Sequence, residues 1–224
     1  MGNSPHEYRL YEKATAMRSW LFFSLCFITM QTAAGAEASV EQVITAAGGE
    51  EKLLKLFQYR ERVLVSGIGA AAVTPDEPGN RTSVVQIGGD VWLGTTKRGK
   101  DKVRVLMWAW SLRLLLDPKS KIEALPETTV AGTAVTGLRV TESIAEPITL
   151  YFETQKHQLI AIDYTDTRHV FSDWKTTSEG HHYAAHVVGY RFSDPDKKIV
   201  SDQQWYQTDI LELTPLADLP AELK

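Results

Sequence analysis

The sequence predicts a mainly β (α+β) protein: one antiparallel meander of about ten strands, helices at the start of the mature chain, and one apolar helix in the middle. Three observations carry this prediction. Short runs that alternate apolar and polar residues recur at roughly 10-residue spacing with turn residues between them, the pattern of half-buried strands joined by tight turns. A helical period stands near the mature start, within residues 39 to 57. The segment "DKVRVLMWAWSLRLLLDP", Asp101 to Pro118, is apolar almost throughout. The chain has 224 residues, 43% hydrophobic and 23% charged, which is an ordinary globular composition for which one domain is expected.

Taken in order, the first 36 residues form an extension and a leader to be cleaved. "MRSWLFFSLCFITMQTAAGA" places Arg18 before an apolar run from Trp20 to Met30 and ends in small residues, the plan of a signal peptide. Ala34, Gly35 and Ala36 predict cleavage before Glu37, leaving residues 37–224 as a single periplasmic or secreted domain. The stretch Met1–Ala16 ahead of it is polar, and a start at Met17 gives the compact, positively charged beginning that such leaders have. The apolar run is shorter than the roughly 20 residues a membrane anchor needs, so no stable anchor is expected after cleavage. Cys26, the single cysteine, lies inside that run and not at the cleavage point, so no lipid attachment is expected. The mature chain then carries no thiol and must hold by its core, which a domain of this size can do by burying about 70% of its unfolded surface.

From Ser39 to Phe57 the chain reads as helix, capped by Ser39, with Val43, Ile44 and Ala47 and then Leu53, Leu54 and Phe57 at helical spacing. Gly48 and Gly49 divide it into two short helices, since each costs about 1 kcal/mol against alanine in a helix interior. The period then changes to two in "YRERVLVSG", "RTSVVQIGG" and "DVWLGTT", with a turn region "TPDEPGN" between the first two. Asp101 to Leu116 reads as a helix of about three turns stopped by Asp117 and Pro118, although Val103 and Val105 also suit a strand start. Beyond it come "TTVAGTA", "VTGLRVTES", "ITLYFET", "QLIAIDY", "RHVFSDWKT", "HYAAHVVGYRF" and "KIVSDQQWYQTDILEL", and then a tail with two prolines. In the hairpin of residues 148–164, Leu150 and Phe152 share one face, Tyr151 and Glu153 share the other, and Thr154 to His157 make the turn. A meander this large must roll up or be covered on its apolar face, and the helix around Trp108 is the natural cover.

"ITAAGGEEKLLKL", "DVWLG" and "LLLDPKSKIEALPETTVAGTAVTGLRVT" leading into "ITLYFETQKHQLIAIDY" resemble exported bacterial proteins of the LolA/LolB/RseB-like lipoprotein-carrier superfamily, over most of residues 40 to 220. Members commonly carry Phe-Asp-x-x-Thr-Gly-Leu-Leu where this chain has Phe152, Glu153, Thr154, Gln155, Lys156, His157, Gln158 and Leu159, so the turn glycine is absent here. The resemblance implies a half-open β-barrel of ten or eleven antiparallel strands, curved round helices that plug its mouth. In the carriers the hollow takes up acyl chains. No carrier functional residue maps onto this chain.

The chemistry-bearing residues point the same way. A net charge of −4 and a pI near 5.9, with no block of five like charges, argue against a nucleic-acid partner. His181, His182 and His186 crowd one segment with His169 upstream, but His182 and His186 stand about 13 Å apart along a strand, too far to share a metal ion. No nucleophile elbow, zinc-protease helix or glycine-rich phosphate loop appears; Ser66 and Ser111 are isolated, and Asp194 and Asp196 flank Pro195 in a turn pattern. Asn80, Arg81 and Thr82 spell a glycosylation sequon in a loop. No enzyme, cofactor or metal is expected.

The aromatic set Trp92, Trp108, Trp110, Phe152, Trp174 and Trp205 serves either as core or as the wall of a lipid-like site. The expected ligand wall is Trp92, Leu106, Met107, Trp108, Trp110, Leu150 and Phe152. Burying about 12 methylenes there at roughly 0.8 kcal/mol each gives about 10 kcal/mol before ordering costs. The expected function is carriage of a lipid or lipoprotein acyl chain. The alternative is a non-catalytic scaffold or sensor with a filled barrel that binds another envelope protein, for instance through an exposed edge strand.

Overall fold

Ser39 opens the described part of the chain with a reciprocal cap: its hydroxyl accepts from Gln42 N at 3.2 Å, and Gln42 Oε1 accepts from Ser39 N at 2.9 Å. A computed structural model describes residues 39–65, 81–94, 96–98, 102–194, 196 and 200–224. The segment expected to be a leader, with Cys26, the Ser66–Gly67 step, the loop "TPDEPGN" and the sequon's Asn80 lie outside the described residues.

The capped helix, α1 (Val40–Ala46), buries Val43 and Ile44. Gly48 and Gly49, with φ of 95° and 92°, end it, and a 3₁₀ turn follows at Glu50–Lys52. Phe57 is not helical, as the spacing had suggested; it is a fully buried residue of the first strand. Leu53, Leu54 and Phe57 satisfy a helical period by coincidence, because short apolar runs fit both periods.

The strands are β1 (Leu56–Val65), β2 (Arg81–Gln86), β3 (Val91–Leu93), β4 (Thr96–Arg98), β5 (Lys121–Val130), β6 (Thr133–Thr141), β7 (Ile148–Glu153), β8 (Leu159–Tyr164), β9 (Thr167–Thr176), β10 (His182–Phe192) and β11 (Val200–Pro215). They make one antiparallel sheet of eleven strands in the order β4-β3-β2-β1-β11-β10-β9-β8-β7-β6-β5. The two meanders join where β1 pairs with β11, so the sheet ends in edges β4 and β5 and stays open between them. This is the half-open barrel.

The chain between those edges supplies the plug. It begins as α2 (Lys102–Trp110), breaks at Ser111 and Leu112, and resumes as a 3₁₀ turn, Arg113–Leu116. The expected helix of about three turns is therefore two pieces. Leu112 takes a left-handed conformation at φ 61°, and the Ser111 hydroxyl donates back to Trp108 O at 2.9 Å. The bend turns Leu114 and Leu115 into the core, at 0% and 4% exposure. Arg113 then fastens this end of the plug to the N-terminal turn by donating to the carbonyls of Leu54, Glu50 and Leu53 at 2.8–3.0 Å.

"TTVAGTA" is not a strand but the tip of the β5–β6 hairpin, where Ala131 and Gly132 both have positive φ, the two-residue turn that suits strand twist. β5 shows little alternation because an edge strand has little buried face, and Pro126 sits at its irregularity, where an edge tolerates the missing N–H. In β7 the alternation is complete. Ile148, Leu150 and Phe152 have no exposure while their neighbours are half-buried. His157 stands where the resembling proteins place glycine and adopts φ 53°, so the hairpin keeps its left-handed turn. Among the described residues no helix is long and apolar enough to cross a membrane.

Candidate functional site

On α2 the residues Val103, Leu106, Met107 and Trp110 repeat at i, i+3, i+4 and i+7 and so occupy one face of the helix. That face forms one wall of a cavity of about 530 Å³. The facing wall comes from alternate residues of the strands, among them Tyr59, Phe171, Val187, Tyr206 and Ile210. The volume is that of a small-molecule site, and apolar groups make most of its lining.

One side of the cavity is polar. Glu61, with no solvent exposure, lies in phase with Phe57, Tyr59 and Val63 on the inner face of β1. Arg81 reaches its Oε1 through Nε at 2.8 Å and Nη2 at 2.7 Å; Ser83 also donates to Oε1, and Thr208 donates to Oε2 at 2.7 Å. Burial alone would lower the Arg81 pKa, but the Glu61 carboxylate reverses this and raises it. Burial, and then the same carboxylate, raises the phenols of Tyr59 and Tyr206, so both face the ligand space as neutral hydroxyls.

His169 completes this side. It is 7% exposed, lies edge-on to the rings of Trp205 and Tyr206, and its Nδ1 is buried without a hydrogen-bond partner. Burial pushes its pKa down to about 4, so the imidazole is neutral at neutral pH. At the rim, Asp166 accepts from Lys102 Nζ at 3.0 Å and from Arg191 Nη1 at 3.3 Å, tying the first residue of α2 to the β8–β9 turn. Asp166 is held below the usual carboxylate range, chiefly by the Lys102 hydrogen bond.

Of the seven residues expected to form one wall, Leu106, Met107 and Trp110 line this cavity. The other four are elsewhere. Leu150 and Phe152 are fully buried core, and Trp92 is 4% exposed in β3, with Lys97 Nζ 5.8 Å above its ring. Trp108 is half-buried on another face of α2, packed against the core. Sequence reasoning missed Glu61, Arg81 and Thr208. A signal for the first existed, because Glu61 interrupts an apolar phase in "FQYRERV", and a carboxylate in that phase must be buried and paired.

The histidines do not cluster. His181 Nδ1 is 2.7 Å from Lys52 O, His182 Nδ1 is 3.1 Å from Thr176 Oγ1, and His186 Nδ1 is 2.6 Å from Asp209 Oδ1. Among the described residues no three His, Cys, Asp or Glu side chains are placed to hold one metal ion.

No family model and no curated protein matches this chain. Among solved structures, a LolA superfamily protein from Nitrosomonas europaea aligns with TM-score 0.51 over 83% of this chain and 97% of its own, at 8% identity. A domain from Vibrio parahaemolyticus assigned to outer membrane lipoprotein sorting gives 0.47, at 8% identity over 82% and 96% of the two chains. A DUF1329 family protein from Desulfovibrio piger gives 0.45, at 9% identity over 83% and 95%. At such identities the first of these likenesses establishes the fold, the LolA-like half-open barrel.

Proposed function

We propose that the mature protein is an exported, non-catalytic carrier that holds the acyl chain of a lipid or lipoprotein in the cavity beneath α2. The single observation that carries this reading is the apolar helix face of Val103, Leu106, Met107 and Trp110 lining a space of about 530 Å³. Well-packed interiors leave few voids larger than a water, so a space of this size under an apolar helix favours a ligand over a filled core. About 12 methylenes buried there supply roughly 10 kcal/mol before the cost of ordering the chain. The leader in residues 17–36 and the LolA-like fold support a periplasmic or extracellular setting.

The test is native mass spectrometry and organic extraction of protein purified from the periplasm, with uptake of a fluorescent fatty acid by the delipidated protein. A co-purifying lipid or saturable uptake supports the carrier reading. Absence of both overturns it and leaves the scaffold reading, for which the ten-residue edge strand β5 is the first surface to probe.

A further inference from the structure

A second cavity, about 230 Å³, lies on the other side of Trp110, which lines both. Three elements run past both spaces, α2 and β9 from the larger to the smaller and the antiparallel β10 from the smaller to the larger. α2 gives Lys102 to Met107 to the larger one, while Ser111 and Leu112, just beyond the helix, line the smaller. β9 gives Thr167 to Phe171 to the larger and Trp174 to the smaller; β10 gives Arg191 and Val187 to the larger and His182 to the smaller. The two cavities are therefore consecutive along the barrel, with the indole of Trp110 as their partition.

Their polar linings differ. The larger cavity contains two carboxylates, both already bound to cations. The ionisable groups lining the smaller one are Lys52, Lys156, His157 and His182; no carboxylate is among its described lining residues, although Lys156 Nζ lies 3.4 Å from Glu153 Oε2, a pair that a ligand carboxylate would have to compete with. Its floor is apolar, with Leu53, Leu54, Leu112 and Leu159.

Two further features mark this wall. His157 holds a left-handed backbone at φ 53°, a conformation that L-residues other than Asn and Asp seldom adopt. Backbone strain of this kind concentrates where a side chain is needed. Three polar nitrogens of lining residues, Trp110 Nε1, His157 Nδ1 and Trp174 Nε1, are buried without a protein partner. Groups left in this state are uncommon in folded proteins.

We propose that the smaller cavity is a separate binding site for a compact organic carboxylate, with its apolar body on the leucines and its anionic end toward Lys52 and Lys156. A ~150 Å³ apolar cavity holds benzene, so about 230 Å³ takes a larger body, of the order of a medium-chain fatty acid. The half-buried Lys52 and the exposed Lys156 supply charge-assisted donors, which discriminate an anion from a neutral molecule of the same shape. Lys52 Nζ already donates to Glu179 O at 2.8 Å, which positions it and leaves two protons for a ligand. This site does not depend on what the larger cavity carries.

The histidines allow one experiment to address both spaces, since His157 and His182 line the smaller and His169 lines the larger. Histidine-labelled protein is titrated with octanoate, with 1-octanol and with inorganic phosphate, and the ring signals are followed by NMR. Octanoate is expected to shift His157 and His182 saturably, with an affinity at least about tenfold above that of octanol or phosphate. Lys156→Gln, at a side chain 74% exposed, is expected to weaken it several-fold, and Lys52→Gln/Lys156→Gln by at least about tenfold, with the His169 signal unchanged as evidence of an intact fold. The proposal is overturned if only His169 responds, if octanol or phosphate binds as tightly as octanoate, or if the folded double variant retains wild-type affinity.

Discussion

Arg81 places two guanidinium nitrogens, Nε at 2.8 Å and Nη2 at 2.7 Å, on a single oxygen of Glu61, a carboxylate with no solvent exposure on the inner face of the barrel. The hydroxyls of Ser83 and Thr208 also donate to this carboxylate, at Oε1 and Oε2 respectively. Arg81→Met leaves that charge with hydroxyls alone, and a buried ion stripped of its partner costs about 3–5 kcal/mol. Urea denaturation is expected to show this loss, and Glu61→Leu/Arg81→Met to recover most of it, because an apolar pair in an apolar wall demands no compensation. A double variant as unstable as the single one would contradict this account.

His169 makes stability depend on pH in a predictable direction. Its folded pKa of about 4 lies below the ordinary value of 6.5, so the native state binds fewer protons than the unfolded state between those values. The stability tied to the neutral ring is full above about pH 6.5, falls as pH drops toward 4, and does not fall further below that. The shift corresponds to a loss on the order of 3 kcal/mol. Denaturation of the parent and of His169→Phe at pH 7.5 and pH 4 measures it: the parent loses more stability between the two conditions, by roughly that amount.

Phe152 and Leu106 separate core from site. Phe152 has no exposure, so Phe152→Ala is expected to cost about 3–5 kcal/mol in thermal or urea denaturation. Leu106 faces the larger cavity, so Leu106→Trp adds volume where space exists and leaves stability within about 1 kcal/mol while abolishing fatty-acid uptake. Equal destabilisation by both substitutions would place Leu106 in the packed core.

His157→Gly tests the strained turn. Relief of the left-handed penalty outweighs the extra entropy that glycine brings to the unfolded chain, so a gain of about 0.5–1 kcal/mol is expected. The same substitution removes one imidazole from the smaller cavity and is expected to weaken octanoate there. A more stable protein that binds less is the pattern of strain kept for function.

The hairpin of β7 and β8 could be read directly, because Ile148, Leu150 and Phe152 alternate with polar neighbours and one pleated face meets the core. The cap at Ser39 and the glycine break at Gly48 and Gly49 are equally local signals. β5 was missed because edge strands lack a buried face, and the break at Leu112 because no glycine or proline announces it. Trp92, Leu150 and Phe152 have the chemistry of a ligand wall, which is the same for a side chain that lines a space and one that fills it.

The sequence by itself determined the repeated two-residue period, the turns, the single apolar plug and hence an antiparallel meander wrapped on a helix. Only the tertiary structure decided that β1 meets β11, that β4 and β5 stay apart, and that one face of α2 lines a space. It also brought Glu61 from β1 together with Thr208 from β11, residues 147 positions apart. Periodicity reports which side of a strand is dry. It carries no information on whether the dry side is filled, because cavity volume depends on how distant side chains mesh, and that is a property of the assembled sheet.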